Sequence, residues 1–147
     1  FLISVRTSGY DCSLEDALAV AEEYVKAGCD YLQVSNGLTG LETLSEYKDK
    51  RVSDIQSLGV YFKEHFKGRV PGSCVGGLVE PEQIHYLLEN DYVDTVDVAK
   101  AILADPEFAN AVIEGTPFTK CFGCQACQYG PFTAHKCPAE MKRLRSE

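Results

Sequence analysis

Four cysteines crowd the carboxyl-terminal part of the sequence as C-x2-C-x2-C-x9-C: Cys121, Cys124, Cys127 and Cys137. Three close thiols and one returning thiol offer four sulfurs, enough to enclose a [4Fe-4S] cluster or a tetrahedral zinc ion. Free or partly oxidised thiols are the third reading, and His135 inside the return is either a substitute ligand or a loop residue. The other three cysteines, Cys12, Cys29 and Cys74, are scattered. An odd total with four clustered points to metal or redox chemistry in a reducing compartment rather than to the spread pairs of a secreted disulfide framework.

A second set of residues suits an anion. Gly76-Gly77 follows one short apolar run and Ala99-Lys100 follows another. Glycines let backbone amides approach a ligand closely, and a lysine beside the neighbouring turn adds a positive charge; a phosphate is the usual occupant of such a pair. Plain turns and a solvated lysine are the alternatives. Arg6 ends a further apolar run, where it serves either an anionic ligand or a salt bridge. His65 and His85 fall in helical patterns and read as surface residues.

Strands are expected over residues 2–5, 30–35, 70–75 and 93–98. The first of these would place Arg6 at its carboxyl end. Ser13 and Asp16 have the spacing of a capping box, and Leu14, Ala17, Leu18, Ala21, Val25 and Gly28 share a helical face that stops at the glycine. Residues 36–53 read as a long polar connection. Ile55, Leu58, Phe62 and Phe66 restore helical spacing, although Gly59 inside that run weakens it. Pro81 opens a helix, residues 101–104 form a short one, and Asp105-Pro106 opens another with Phe108, Val112 and Ile113 inward and Gly115 at its end. Lys142-Arg143-Leu144-Arg145 reads as a helix terminus.

Four strands, each followed by helical structure at intervals near the thirty residues of a repeating unit, define a βα architecture. Barrels of eight such units often bind phosphate with the loops after strands seven and eight, and the order of features here fits those loops. The 147 residues supply one core and roughly half of the about 250 residues a complete barrel needs. A net charge of −8 argues against a nucleic-acid or anionic-lipid surface. No apolar run reaches the length of a membrane span, and no signal peptide is recognisable, so a cytoplasmic location is the default expectation.

The segments ISVRTS around Arg6, AGCDYLQVSNG, VGGL with the following EPE, and DVAKAILADPEFANAVIEG, in this order and spacing, resemble the second half of the Old Yellow Enzyme family of NADH:flavin oxidoreductases. The resemblance implies an α/β fold: residues 1–117 as about strands five to eight of a TIM (β/α)8 barrel that binds FMN, and residues 118–147 as a cysteine-rich tail. It implies that Arg6 lies beside the flavin ring, where positive charge stabilises the anionic reduced form. Gly76 and Gly77 would give backbone contacts to the FMN phosphate. Ala99-Lys100 stands where the family usually has Gly-Arg; lysine keeps the charge but loses the bidentate fork. The implied chemistry is transfer of a hydride from NAD(P)H through FMN to an enone or enoyl substrate. No position matches the family's substrate-oxygen pair or its proton-donating tyrosine, so no catalytic residue is assigned. Larger members, of the dienoyl-CoA reductase type, place a [4Fe-4S] cluster after the barrel, which makes Cys121, Cys124, Cys127 and Cys137 candidate ligands with iron-sulfur ahead of zinc. The spacing here is one residue shorter in the middle and two shorter in the return. The implied partner is the N-terminal half of the barrel; the alternative is a non-catalytic half-barrel that pairs with itself or with such a half.

Overall fold

The computed structural model describes residues 1–10, 13–36, 44, 47, 51–124, 127 and 137–146. Strands and helices alternate as β1 (Ser4–Ser8), α1 (Leu14–Lys26), β2 (Tyr31–Ser35), α2 (Asp54–Phe66), β3 (Gly72–Val75), α3 (Pro81–Glu89) and β4 (Thr95–Asp97). Then follow α4 (Lys100–Ala104), α5 (Phe108–Glu114) and α6 (Pro138–Leu144). The four strands form one parallel sheet in the order β1-β2-β3-β4, so the expected βα architecture holds. Two compact units are present: residues 1–76 with 82–97, and residues 77–81 with 98–147.

In the first unit the strands present opposite characters to their two faces, as the two-residue side-chain period requires. Val5, Leu32, Val34 and Cys74 project to one side. There, Val5, Leu32 and Val34 share a core with Ala17, Leu18 and Ala21 of α1 and with Leu58, Phe62 and Phe66 of α2. Both helical faces are those the 3.6-residue periodicity of the sequence picks out. The other side carries the register row Arg6, Gln33, Ser73 and Thr95, and beyond it Ser8, Ser35, Val75 and Asp97. It is a polar, hydrogen-bonded face: Ser73 Oγ donates to Asp97 Oδ2 at 2.6 Å, Gln33 Nε2 donates to Asp97 Oδ1 at 3.5 Å, and Tyr31 Oη bonds Thr95 Oγ1.

Helix starts follow from local chemistry. Ser13 caps α1, its Oγ accepting from the Asp16 amide at 3.0 Å and donating to Asp16 Oδ2 at 2.8 Å, so the Asp16 carboxylate bonds the hydroxyl of the cap rather than its backbone amide. Gly28, with φ +95°, adopts the left-handed conformation just beyond α1. A full capping box opens α2, in which Ser53 accepts from the Gln56 amide and Gln56 accepts from the Ser53 amide. Gly59 lies within α2 because nothing larger fits: a Cβ there would stand 2.3 Å from Cys74 Cβ and 2.8 Å from Cys74 Cα. The glycine that weakens the helix as a sequence is what lets it lie against β3.

At the amino-terminal edge of the sheet, Lys63 of α2 is buried and pairs with Asp94, whose other oxygen accepts from the Gly72 amide at 2.8 Å. Burial opposes the lysine's charge, but Asp94 and then Asp91 overcome it and raise its pKa. This network joins α2, β3 and the entry to β4, an end of a βα sheet associated with stability rather than chemistry.

Two expectations need correction. The first strand spans Ser4–Ser8, not residues 2–5, and Arg6 stands in its middle. The pairing Ser4↔Tyr31 through Ser8↔Ser35 follows the alternation of SVRTS, and that alternation outweighs the apolarity of Phe1, Leu2 and Ile3, all exposed. In α5, Ile113 does not face inward; it is 82% exposed, and Ala111 is buried beside Phe108. Positions three apart share a helical face, whereas position 113 lies across the helix from 108 and 111.

Candidate cofactor site and cysteine tail

Register fixes where the chain leaves the sheet. Val75 of β3 pairs with Asp97 of β4 in parallel, so the turn at Gly76 and the residues following Asp97 both depart from the carboxyl-terminal edge. Ligands of open parallel α/β sheets collect at that edge. Gly76 has φ +124° and Gly77 φ +64°, two consecutive left-handed positions that L side chains adopt only with strain. A Cβ at Gly76 would also approach Ile55 Cβ to 3.0 Å, whereas one at Gly77 would meet nothing within 4 Å. Gly76 is therefore packed against α2, and Gly77 is exposed with open space where a side chain would stand.

The residue that holds this turn is Gln56. It is 4% exposed, and its Nε2 donates to the Gly76 carbonyl at 2.6 Å while its Oε1 accepts from the Ser53 amide at 3.0 Å. Gln83 Nε2 donates to the same Oε1 at 3.0 Å. One side chain thus caps α2 and fixes the glycine turn. The S-x-x-Q spacing of Ser53 and Gln56 signals the capping box in the sequence; nothing there signals the bond to Gly76.

Arg6 is exposed on the polar face of the sheet, on the register row of Ser73 and two strands from β3. That separation is about 10 Å, two interstrand spacings. Among the described residues Arg6 makes no ion pair. Arg6, Thr7 and Ser8 line one side of a cleft of about 300 Å³, with Asp16, Ala17, Val20 and Tyr24 of α1 on the other. Because β1 is an edge strand, this cleft runs along its unpaired side.

Gly77, Ala99 and Lys100 belong to the second unit. Ala99 stands at the N-cap of α4 and offers no side-chain hydrogen bond. Lys100 opens α4 and is exposed, and it makes no ion pair among the described residues. After α4, Asp105 is buried, its Oδ1 accepting from the Glu107 amide at 3.1 Å and its Oδ2 from the Thr119 amide at 2.8 Å. Burial pushes its pKa up, and the two amides outweigh burial and hold it below the usual carboxylate range. Asp105 thereby joins the start of α5 to the segment that leads to the cysteines. Phe108 and Phe118 pack edge to face in the same unit at 4.9 Å between centroids.

In the tail, Cys121 is half-buried and packs on a small core made of Ala104, Cys137 and Ala139. Cys124 is exposed and Cys127 half-buried. Among the described residues, no three of His, Cys, Asp and Glu gather into a group that holds a metal ion. His135 and Cys12 lie outside the described residues. Cys74 offers no ligand or nucleophile: burial first and then the Asp97 charge push its thiol up to about 12. His65 and His85 are exposed, as their sequence context suggests, and His65 Nε2 meets Glu22 Oε1 at 3.2 Å.

No family model matches the chain. No helix among the described residues is long and apolar enough to cross a membrane.

Proposed function

We propose that the chain is the carboxyl-terminal part of an FMN-dependent NAD(P)H:flavin oxidoreductase of the Old Yellow Enzyme type, with its four strands as strands five to eight of a TIM barrel. The observation that carries the reading is the parallel register of Val75 with Asp97, which sends the glycine turn and the approach to Ala99-Lys100 from one edge of one sheet. A sheet with one helix-packed apolar face and one hydrogen-bonded polar face also suits an arc of barrel wall, whose inner face is lined by alternate residues of each strand.

In this reading Gly76 and Gly77 present amides to the FMN phosphate, Gln56 keeps the first of them in place, and Lys100 adds charge without the fork of an arginine. The φ values and the open space at Gly77 fit a phosphate drawn close to backbone. Arg6 supplies the positive charge beside the flavin ring. FMN, when bound, supplies hydride transfer from NAD(P)H to the β-carbon of an enone or enoyl substrate. This chain's part is to bind and orient; no residue of it is assigned a proton-transfer role. Cys121, Cys124, Cys127 and Cys137 enter only as candidate iron-sulfur ligands, with zinc second. The gathering of their sulfurs would require Cys124 and Cys127 to turn toward the core that Cys121 and Cys137 share, so no step is routed through a metal.

A second reading is a non-catalytic half-barrel that works by association. Its supporting observation is the unpaired side of β1, in a unit that also exposes Phe1, Leu2, Ile3, Val20 and Tyr24. An open edge with apolar neighbours invites strand pairing with another copy or with a separate N-terminal half. Fluorescence titration separates the two readings. The flavin reading expects FMN emission to change on adding the chain, riboflavin to respond at least about tenfold more weakly because it lacks the phosphate, and Lys100→Ala to weaken FMN. Equal response to FMN and riboflavin, or none to either while the chain elutes as a dimer, favours the associating half-barrel.

A further inference from the structure

The fold does not treat the four clustered cysteines alike. Cys137, 7% exposed, sits in one small core with Ala104 and Ala139, and Cys121 packs against that same core. Its other members, Ala104 and Ala139, are small, so both cysteines belong to one compact patch. α4 and α6, which carry Ala104 and Ala139, pack on each other, and Cys137 itself is the N-cap residue of α6. On the other side, Asp105 holds the Thr119 amide two residues before Cys121. Both cysteines are thus anchored by ordered structure next to them. Cys124 is exposed, and neither it nor Cys127 joins this core.

We propose that Cys121 and Cys137 are a redox pair that closes an intramolecular disulfide under oxidation by a low-molecular-weight disulfide, RSSR. The more accessible Cys121 reacts first. Its sulfur bonds to one sulfur of RSSR, the S–S bond of RSSR breaks, and one RSH leaves with the proton of the Cys121 thiol. The Cys137 sulfur then bonds to Cys121 and displaces the second RSH with its own proton. Two cysteine thiols are oxidised, one RSSR is reduced to two RSH, and the new bond ties the start of the tail to α6 beside α4. The closed loop of sixteen positions restrains the unfolded chain and stabilises this unit in the oxidised state. The disulfide and a metal bound by the same sulfurs exclude each other, and the proposal does not rest on the flavin reading.

Loop statistics give a sharp contrast. Cys127 lies ten positions before Cys137 and Cys121 sixteen, so a structureless tail favours the Cys127–Cys137 link by about twofold through the three-halves power of loop length. The shared core reverses that order. The test is to incubate the chain with glutathione disulfide, block remaining thiols by alkylation, digest with trypsin and chymotrypsin, and quantify linked peptides by mass spectrometry. The expected result is Cys121–Cys137 in several-fold excess over Cys124–Cys137 and Cys127–Cys137, retained in the Cys124→Ser/Cys127→Ser variant and lost in Cys121→Ser. A Cys127–Cys137 or Cys124–Cys137 yield equal to or above that of Cys121–Cys137 overturns the proposal. So does the absence of any intramolecular link, whether the thiols stay free or a metal holds them.

Discussion

Gly59→Ala tests the packing of α2 on β3, on which the position of the glycine turn depends. An added Cβ would lie 2.3 Å from Cys74 Cβ, 2.8 Å from Cys74 Cα and 2.9 Å from the Ser73 carbonyl oxygen. Carbon atoms in good contact are about 3.5–4.0 Å apart, so α2 must retreat from β3 by roughly 1 Å. Two of the three atoms are backbone in the middle of a paired strand, and no rotamer change moves them. Overpacking of this kind costs about 1–3 kcal/mol, occasionally more. Replacing a helical glycine by alanine returns about 1 kcal/mol of helix propensity. The steric effect prevails because retreat also loosens Leu58, Phe62 and Phe66, which pack in the core from the same helix; that puts the cost near the upper end, about 3 kcal/mol, and the net loss at about 2 kcal/mol. Urea unfolding followed by circular dichroism reads this as a midpoint lowered by about 1 M, for slopes of about 1–3 kcal/mol per molar urea. Gly72→Ala is the control: its Cβ would meet only the Leu32 carbonyl oxygen at 3.8 Å, and its stability should change by less than about 0.5 kcal/mol. If Gly59→Ala is as stable as the native chain, α2 does not lie against β3 as described.

Gln56→Ala should cost about 1–3 kcal/mol, because it removes a buried partner from the Gly76 carbonyl and the Ser53 amide together; urea unfolding measures the loss. Gln56→Glu should restore the cap at the Ser53 amide but not the bond to Gly76 O. Between Glu22 and Arg69, two hydrogen bonds of 2.7 and 2.6 Å join α1 to the residues after α2. Arg69 first lowers the Glu22 pKa from 4.5 to about 2; desolvation, the next largest effect, opposes it, and His65 adds to the lowering. A depressed folded-state pKa contributes stability above the unfolded value of 4.5 that is lost as pH falls toward about 2. Denaturation at stepped pH should therefore show a decline between those values that is shallower in Glu22→Gln; identical pH profiles would contradict the pairing.

The alternation of strands and helices was legible because each element carries its own period. The faces of α1 and α2 repeat every three to four residues, and Gly28 ends α1 as a left-handed glycine should. What was hidden depends on contacts distant in sequence. Gly59 reads as a weak point in a helix until Cys74 is seen beneath it, and Gln56 is passed over in the sequence, although its side-chain amide holds the Gly76 carbonyl. The position of β1 was misplaced because Leu2 and Ile3 are more apolar than the Ser4–Ser8 segment that pairs with β2, and apolarity alone carries no register. By spacing the tail cysteines form three close thiols and a returning one, whereas the core around Ala104 takes in Cys121 and Cys137 and leaves Cys124 exposed. The proposed flavin contacts rest on the resemblance alone, since a glycine turn at a sheet edge does not name its ligand.

The flavin reading meets its most direct test in amide chemical shifts of the isotope-labelled chain titrated with FMN and, separately, with riboflavin. The prediction is that FMN moves the amide signals of Gly76 and Gly77, with Lys100 shifting alongside, and that riboflavin leaves these three unmoved. Saturating FMN that perturbs none of them, or riboflavin that perturbs them equally, would contradict a phosphate site at this edge of the sheet.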